Sequence, residues 1–269
     1  LQGRGPRGAA AADQPGPMTS AGGMVVEEAV AARNGRLLDA ALKLIDRARA
    51  EGIEARLIGG LAILHHDPAL RDRGGSRPIN DIDLMVPSGQ HRLLARLLVD
   101  AGYAAEERFN ALNGHRRMVF HGPDWDLDVL VGIFEMCHRI DMSSRFELDY
   151  PTLPVTDLLL TKLQIVKLNA KDVGDIVDLV AAHGLDEGPG DHVDLVHLRS
   201  LVRDDWGLWR TITGTVQTVK ATASPAAVSE RLGALLTALH EAPKSTRWKL
   251  RARVGDRVAW YVLPDEVNQ

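Results

Sequence analysis

Two short aspartate motifs are the part of this chain best suited to chemistry. Asp81 and Asp83 stand two residues apart, and Asp126 and Asp128 repeat that spacing. In an extended strand such side chains share a face and lie about 6–7 Å apart along the chain, so each pair can share divalent cations. Magnesium is bound by one or two carboxylates plus substrate phosphates, and paired metal ions serve phosphoryl transfer. The motifs therefore indicate that chemistry, although a lone Asp-x-Asp also occurs where a strand end faces water.

A site of this kind normally needs a third carboxylate, and the second motif offers it. Asp128 precedes the apolar run 129–131, where a charged side chain needs a reason for its position. Asp126 is the competing choice. An EF-hand calcium loop is excluded at Asp81, because the loop glycine and the terminal glutamate are absent at the required offsets.

A glycine pair precedes the first motif. Gly59 and Gly60 follow a short predicted strand and precede one or two helical turns, Leu61 to His66. A glycine turn that opens a helix exposes backbone N–H groups to a phosphate and permits close approach. The other interpretation is a simple tight turn.

Lys162 is a cation in an unusual setting. It lies in a segment, 157–168, that is apolar on most sides and is predicted to be a buried helix. An ammonium there either reaches solvent through its long stem or needs an anionic partner. Lys171, Asp172 and Asp175 open the next predicted helix, where acidic residues also favour the positive end of the helix dipole.

The elements that must position these residues alternate in type. Helical spacing predicts a helix from Val25 to Gly52 and another from Gln90 to Ala101. Period-two patterns predict strands at 55–58, 81–86, 103–109, 116–121 and 126–131. This order indicates an α/β (α+β) fold with a mixed sheet and helices on at least one face.

The second half of the chain changes to helix. We expect a disordered tail at 1–23, a sheet domain at 24–150, a helical domain at 151–242 and a basic segment at 243–269. In that last segment, alternating residues around Gly255 predict a hairpin. Its six basic residues and Trp248 could bind a nucleic-acid backbone. Equally, the positive charges could prevent an exposed strand edge from pairing with another chain.

Composition excludes several classes of protein. The 269 residues are 45% hydrophobic and 25% charged with net charge −4, which is typical of a globular protein rather than a disordered one. No stretch is apolar enough for a membrane span, so no membrane partner is expected. Only 4% of residues are aromatic, which leaves few platforms for stacking single-stranded nucleic acid. A single cysteine, Cys137, and no recognisable signal peptide predict a cytoplasmic location.

Zinc is not predicted. The histidines, among them His65, His66 and His183, show no ligand spacing, and one cysteine makes a structural zinc site improbable. Cys137 is expected to be a small buried hydrophobic residue.

The glycine pair, the Asp-x-Asp motif and the later aspartate together resemble the DNA polymerase β-like nucleotidyltransferase superfamily. Within it, the chain resembles stand-alone bacterial nucleotidyltransferases of the abortive-infection, type IV toxin–antitoxin type. Three segments carry the likeness, which spans roughly Glu54 to His183: Gly59-Gly60-Leu61-Ala62, Arg77-Pro78-Ile79-Asn80-Asp81-Ile82-Asp83-Leu84, and Lys162-Leu163 with Lys171-Asp172-Val173-Gly174-Asp175.

The resemblance implies a nucleotidyltransferase-fold mixed sheet followed by a helical domain, and it implies roles for single residues. Asp81, Asp83 and Asp128 would be catalytic and hold Mg²⁺ (or Mn²⁺). The nucleotide-binding residues would be Gly59, Gly60, Arg77, Lys162 and Asp172, with Asp175 structural. The family more often has Gly-Ser at the turn, so backbone groups must replace the serine contact here.

The implied activity is transfer of a nucleoside monophosphate from an NTP to an acceptor. The acceptor is open: RNA or tRNA, a protein, or a small molecule of the aminoglycoside type. A toxin would have a cognate antitoxin protein as partner. The alternatives are a catalytically inactive nucleotide- or RNA-binding module of the same fold, and an interaction scaffold whose carboxylates face solvent.

Overall fold

The sheet lies at the centre of the computed structural model, which describes residues 21–72, 77–222 and 225–263. Its strands are β1 (Arg56–Leu57), β2 (Asp81–Val86), β3 (Ala104–Ala105), β4 (Arg117–His121) and β5 (Asp126–Val131). Their spatial order is β1-β2-β5-β4-β3. The mixed α/β architecture expected from the sequence is confirmed.

The two aspartate motifs lie on adjacent strands. β2 and β5 pair in parallel, with Asp81 opposite Asp126 and Asp83 opposite Asp128. β1 and β4 flank this pair as antiparallel neighbours, and β3 is the edge next to β4. Because directly paired residues point to the same face of a sheet, all four carboxylates share one face.

Five helices accompany the sheet: α1 (Ala21–Ala50), α2 (Gly59–His66), α3 (Pro68–Asp72), α4 (His91–Asp100) and α5 (Glu107–Asn113). The predicted helices at 25–52, 61–66 and 90–101 are confirmed within a few residues. α1 begins at Ala21, so the last three residues of the expected tail are helical, and residues 1–20 lie outside the described part of the chain. Leu37, Ala41, Ile45 and Ala48 form the buried stripe of α1.

The strand predicted at 103–109 is mostly wrong. Only Ala104 and Ala105 pair with β4, and α5 begins at Glu107. The side chain of Asn110 explains the change, because its amide donates to Val119 O at 2.9 Å and its oxygen accepts from Val119 N at 2.7 Å. Glu106 N still donates to Val119 O at 2.9 Å, but Val119 N is taken by the Asn110 side chain, so the strand pairing ends there and the chain turns into a helix.

The second half is helical, as predicted. It contains α6 (Val155–Leu163), α7 (Ala170–Ala182), α8 (Leu195–Asp204), α9 (Trp206–Thr222), α10 (Ala226–Glu241) and α11 (Thr246–Val254). Two short strand pairs were not predicted: the hairpin of β6 (Ile133–Glu135) and β7 (Arg139–Asp141), and the parallel pair of β8 (Leu185–Asp186) and β9 (Val193–Asp194).

The predicted C-terminal hairpin is wrong, because α11 occupies its first strand. Ser245 caps this helix by accepting from Trp248 N at 3.2 Å. Trp248 then packs edge-on against Trp209, and the Arg251 guanidinium lies 4.5 Å from the centroid of Trp206. Residues three apart therefore face the protein, which is helical periodicity rather than strand alternation.

One continuous set of buried apolar side chains joins the sheet to the helices behind it, from Leu37 in α1 to Ala242 after α10. Separation into units at 24–150 and 151–242 remains a prediction. Within the described ranges, every helix is either too short or too polar to cross a membrane.

Candidate active site

Asp83 is the central carboxylate of the site. It lies between Asp81 on its own strand and Asp128, its partner in the β2–β5 register. The pKa of Asp83 is raised to about 7 by burial first and then by the negative charges of Asp81 and Asp128, against the smaller opposing effects of Lys162 and Arg117. The site thus gathers more negative charge than its own cations neutralise.

Asp128 is tied to an arginine that sequence reasoning missed. Arg117 Nε donates to both carboxylate oxygens of Asp128, at 2.8 and 2.9 Å, and its Nη2 donates to Oδ2. The hydrogen bond to Asp128 raises the pKa of Arg117 above its ordinary value despite the opposing effect of burial. The sequence did contain a sign of this contact, namely a basic residue in the strand β4. Antiparallel pairing of β4 with β5 places Arg117 diagonally across from Asp128.

The glycine turn lies directly against Asp83. Gly59 has φ +68°, and a Cβ at this position would overlap Asp83 Oδ2. Ile58 N donates to the backbone oxygen of Asp83 at 3.0 Å, which fixes the end of β1 against β2. Only glycine fits here for both conformational and steric reasons. The first backbone N–H groups of α2 therefore open beside the carboxylates, where an anion such as a phosphate can bind.

Lys162 has anionic partners and does not extend to solvent. Its Nζ lies 2.8 Å from Asp175 Oδ2 and 3.3 Å from Asp172 Oδ1. Burial lowers the pKa of Lys162, but the Asp175 and Asp172 carboxylates outweigh that effect and hold it above its ordinary value. The ammonium stays charged at the edge of the site. Of the two settings predicted for Lys162 from the sequence, solvent or an anionic partner, the structure has the anionic partner.

Arg77 extends this chain of charges. Its Nη2 donates to both oxygens of Asp175 at 3.1 Å, and a Cβ on Gly60 would lie 3.0 Å from the same Nη2. Asp175 is only 5% exposed and thus bridges Arg77 and Lys162 in the protein interior. Asp172 also forms a capping box with Asn169 at the start of α7, which fixes its carboxylate in place.

A cavity of about 290 Å³ brings most of these groups together. One wall is polar, and the other is apolar and includes Phe134, Met136 and Ile165, contributed by the unpredicted β6 segment and the chain after α6. The polar wall consists of Gly59, Asp83, Arg117, Asp128, Glu135, Thr161, Lys162 and Asp172. A charged end beside an apolar surface suits a ligand with an ionic part and a flat apolar part, such as a nucleotide.

Several residues singled out from the sequence lie outside this cavity lining. Asp81 is exposed at the start of β2, although its charge acts on Asp83. Gly60 and Arg77 lie on the far side of the glycine turn, against Asp175. Asp126, the competing third carboxylate, is 61% exposed and lies 3.1 Å from His121 Nδ1, whereas Asp128 lies opposite Asp83.

The donor set fits a hard divalent cation. Asp81, Asp83 and Asp128 offer carboxylate oxygens, the ligands that Mg²⁺ and Mn²⁺ prefer. Burial is the first cause of the raised pKa of Asp83 and the charges of Asp81 and Asp128 are the next, so a cation between the carboxylates would offset both.

Comparison with known proteins agrees with this geometry. No curated protein matched the chain. A family model described as an uncharacterised nucleotidyltransferase matches residues 25–204, a range that contains every residue of the cavity's polar wall. The chain therefore belongs to this family of nucleotidyltransferases and is a transferase enzyme.

Proposed function

We propose that the protein transfers a nucleoside monophosphate from an NTP to an acceptor hydroxyl, with Mg²⁺ or Mn²⁺ held by Asp81, Asp83 and Asp128. The observation that carries this proposal is the parallel register of β2 and β5, which sets the three carboxylates on one face beside the glycine turn. Bound metal would polarise the phosphate oxygens and offset the charge that develops during transfer.

The chain's own groups bind and orient the triphosphate. The N-terminus of α2 receives phosphate oxygens at Gly59, which lines the cavity, with Gly60 next to it in the same turn, and Lys162 provides a fixed positive charge in the cavity lining. Asp172, at the rim of the cavity, orients the remainder of the nucleotide. The resemblance places Arg77 on the triphosphate, whereas its contacts with Asp175 and Gly60 favour a role in holding the glycine turn.

The reaction forms one bond and breaks one. The acceptor oxygen bonds to the α-phosphorus while the bond from that phosphorus to the bridging oxygen of the β-phosphate breaks, releasing pyrophosphate. The acceptor proton passes to a carboxylate oxygen of Asp128, and Arg117 positions this carboxylate through its bidentate contact. Catalysis is therefore positioning and electrostatic stabilisation, as is general for phosphoryl transfer.

We propose an RNA as the acceptor. Support comes from α11 and the turn after it, where Arg247, Lys249, Arg253 and Arg257 are exposed and form a basic surface. The toxin role and a cognate antitoxin rest on the resemblance of the sequence motifs. A small-molecule acceptor of the aminoglycoside type is the second candidate, favoured by the modest size of the cavity.

The test is transfer of label from each α-³²P-NTP to total cellular RNA, to the protein itself and to a panel of amino sugars, with Mg²⁺ or Mn²⁺. Asp83→Asn keeps the side-chain shape and removes the charge, so we expect transfer to be lost. Asp126→Asn is the matched control, because it makes the same change at an exposed position on the same sheet face.

The outcomes separate the alternatives. Labelled RNA that disappears with Asp83→Asn and persists with Asp126→Asn supports the proposal. Metal-dependent NTP binding without transfer to any acceptor would identify an inactive binding module. Equal transfer by the wild type and Asp83→Asn would contradict the role of the carboxylates.

A further inference from the structure

A histidine cluster lies at the opposite ends of the two helices that carry the active-site residues. His66 is the last residue of α2, and His183 caps the C-terminus of α7. The active site, by contrast, uses the first residues of both helices. At about 1.5 Å per residue, the eight residues of α2 alone separate the two places by roughly 10 Å. The cluster is thus a distinct feature of the fold.

Three donor atoms converge in this cluster. His183 Nδ1 lies 3.3 Å from Asp191 Oδ1, and His66 Nδ1 lies 3.7 Å from the same oxygen. The donor atoms of all three residues lie within 4.8 Å of one another. Ligands bound at about 2.0–2.1 Å in a tetrahedron are separated by roughly 3.3 Å, so the observed spacing is close to that of a metal site.

The hydrogen bond of His66 is made by Nε2, so Nδ1, the nitrogen that faces Asp191, is available to bind a metal ion. Its Nε2 lies 2.6 Å from Thr152 Oγ1 and 3.5 Å from Asp149 Oδ2. In the tautomer that carries the proton on Nε2, the ring donates toward Thr152 and Asp149, and Nδ1 presents a lone pair toward Asp191 Oδ1. Two acceptors then face each other, and a cation between them would bind both. A histidine whose far nitrogen donates to a carboxylate is the usual arrangement of a metal ligand.

His183 is buried without full hydrogen bonding. Its side chain is 5% exposed, and its Nε2 has no hydrogen-bond partner among the described residues. An ion bound at Nδ1 would leave the proton on Nε2, and the metal–nitrogen bond would offset the cost of burying that unpaired N–H group. Asp191 is 80% exposed, so it can close over an ion and leave a coordination position to water.

We propose that His66, His183 and Asp191 form a binding site for one divalent transition-metal ion of the zinc class. Imidazole nitrogens favour zinc and cobalt over magnesium, so this site and the carboxylate site select different ions. The ion ties the C-terminal ends of α2 and α7 to the loop that holds Asp191. Zinc was not predicted from the sequence because the ligands are far apart along the chain and meet only through the packing of α2 on α7.

The test uses the full chain, stripped with a chelator and then titrated with Zn²⁺ and, separately, Co²⁺. We expect one tightly bound equivalent, a visible Co²⁺ absorption band typical of nitrogen ligands, and a higher melting temperature with Zn²⁺. Asp83→Asn should retain that equivalent, which separates this site from the carboxylate site. Asp191→Asn should weaken binding at least about tenfold, and His183→Gln should abolish it.

His192→Gln is the matched control, since this histidine adjoins Asp191 but bonds to Gly188 O at 2.9 Å and is not a proposed ligand. Zinc binding that is absent from the wild type, or unchanged in Asp191→Asn and His183→Gln, would overturn the proposal. If His183→Gln does not fold, Asp191→Asn decides alone, because its exposed side chain leaves the core intact.

Discussion

The shifted pKa of Asp83 makes a quantitative prediction about stability without metal. Each pH unit by which a pKa moves between the unfolded and folded chain is worth about 1.4 kcal/mol. Raising the Asp83 pKa from 3.8 to about 7 costs the folded protein about 4 kcal/mol at pH 8, where the carboxylate is ionised in both states. At pH 5 the folded carboxyl keeps its proton, and less than half of that cost remains.

The sign follows from where the proton binds. Between pH 3.8 and about 7 the folded state binds the proton more tightly than the unfolded state, so raising the pH favours unfolding. We expect Asp83 alone to lower the free energy of unfolding by about 3 kcal/mol from pH 5 to pH 8. Above pH 8 its contribution is constant.

The measurement is urea unfolding of the wild type and Asp83→Asn at pH 5, 6, 7 and 8 with a chelator present. The stability difference between the two proteins isolates Asp83 from other titrating groups. The free energy of unfolding of Asp83→Asn minus that of the wild type should be about 3 kcal/mol larger at pH 8 than at pH 5. The control Asp126→Asn should follow the wild type, since its carboxylate is 61% exposed. Parallel profiles for the wild type and Asp83→Asn would refute the crowding of charge at Asp83.

Three further substitutions test the packing and charges of the site. Gly59→Ala should abolish nucleotide transfer and lower the free energy of unfolding by about 1–3 kcal/mol, since the new methyl overlaps Asp83. The control Gly174→Ala, with open space around it inside α7, should keep transfer and raise the free energy of unfolding by about 0.5–1 kcal/mol. Asp175→Asn should cost up to about 3 kcal/mol in urea unfolding, because it leaves the half-buried cations Arg77 and Lys162 without their shared carboxylate, while Lys162 keeps Asp172. Arg117→Gln should tighten Mn²⁺ binding by up to about fivefold in calorimetry. The reason is that the exposed Arg117–Asp128 ion pair, worth up to about 1 kcal/mol, no longer competes with the metal for the Asp128 carboxylate. Unchanged affinity would show that Arg117 and the metal do not compete.

Local sequence patterns were enough to predict the strands and the turn that carry the site residues. Alternation predicted β2 and β5, and a glycine pair before an apolar segment predicted the turn into α2. The choice between Asp126 and Asp128 stayed open, because both lie on one face and only the strand register shows which lies opposite Asp83. That register depends on β5 inserting between β2 and β4, which is a property of the whole sheet.

Contacts between distant segments could not be predicted from one sequence. Arg117 reaches Asp128 through the pairing of β4 with β5, and His66 meets His183 through the packing of two helices. The prediction of a C-terminal hairpin was wrong for a different reason. In a short segment, alternating basic and apolar residues fit the two-residue period of a strand and the 3.6-residue period of a helix. Contacts of Trp248 with the helical core then selected the helix.

The shared core also determines where the chain can be cut. The family match ends at Asp204, the last residue of α8, yet Ile212, Val216 and Leu235 in the two helices beyond it are fully buried. α9 and α10 pack on α7, whose first two turns hold Asp172 and Asp175. A fragment trimmed to the matched range would expose this apolar surface to water and loosen the helix that positions Lys162. The minimal working enzyme must therefore extend at least to the end of α10.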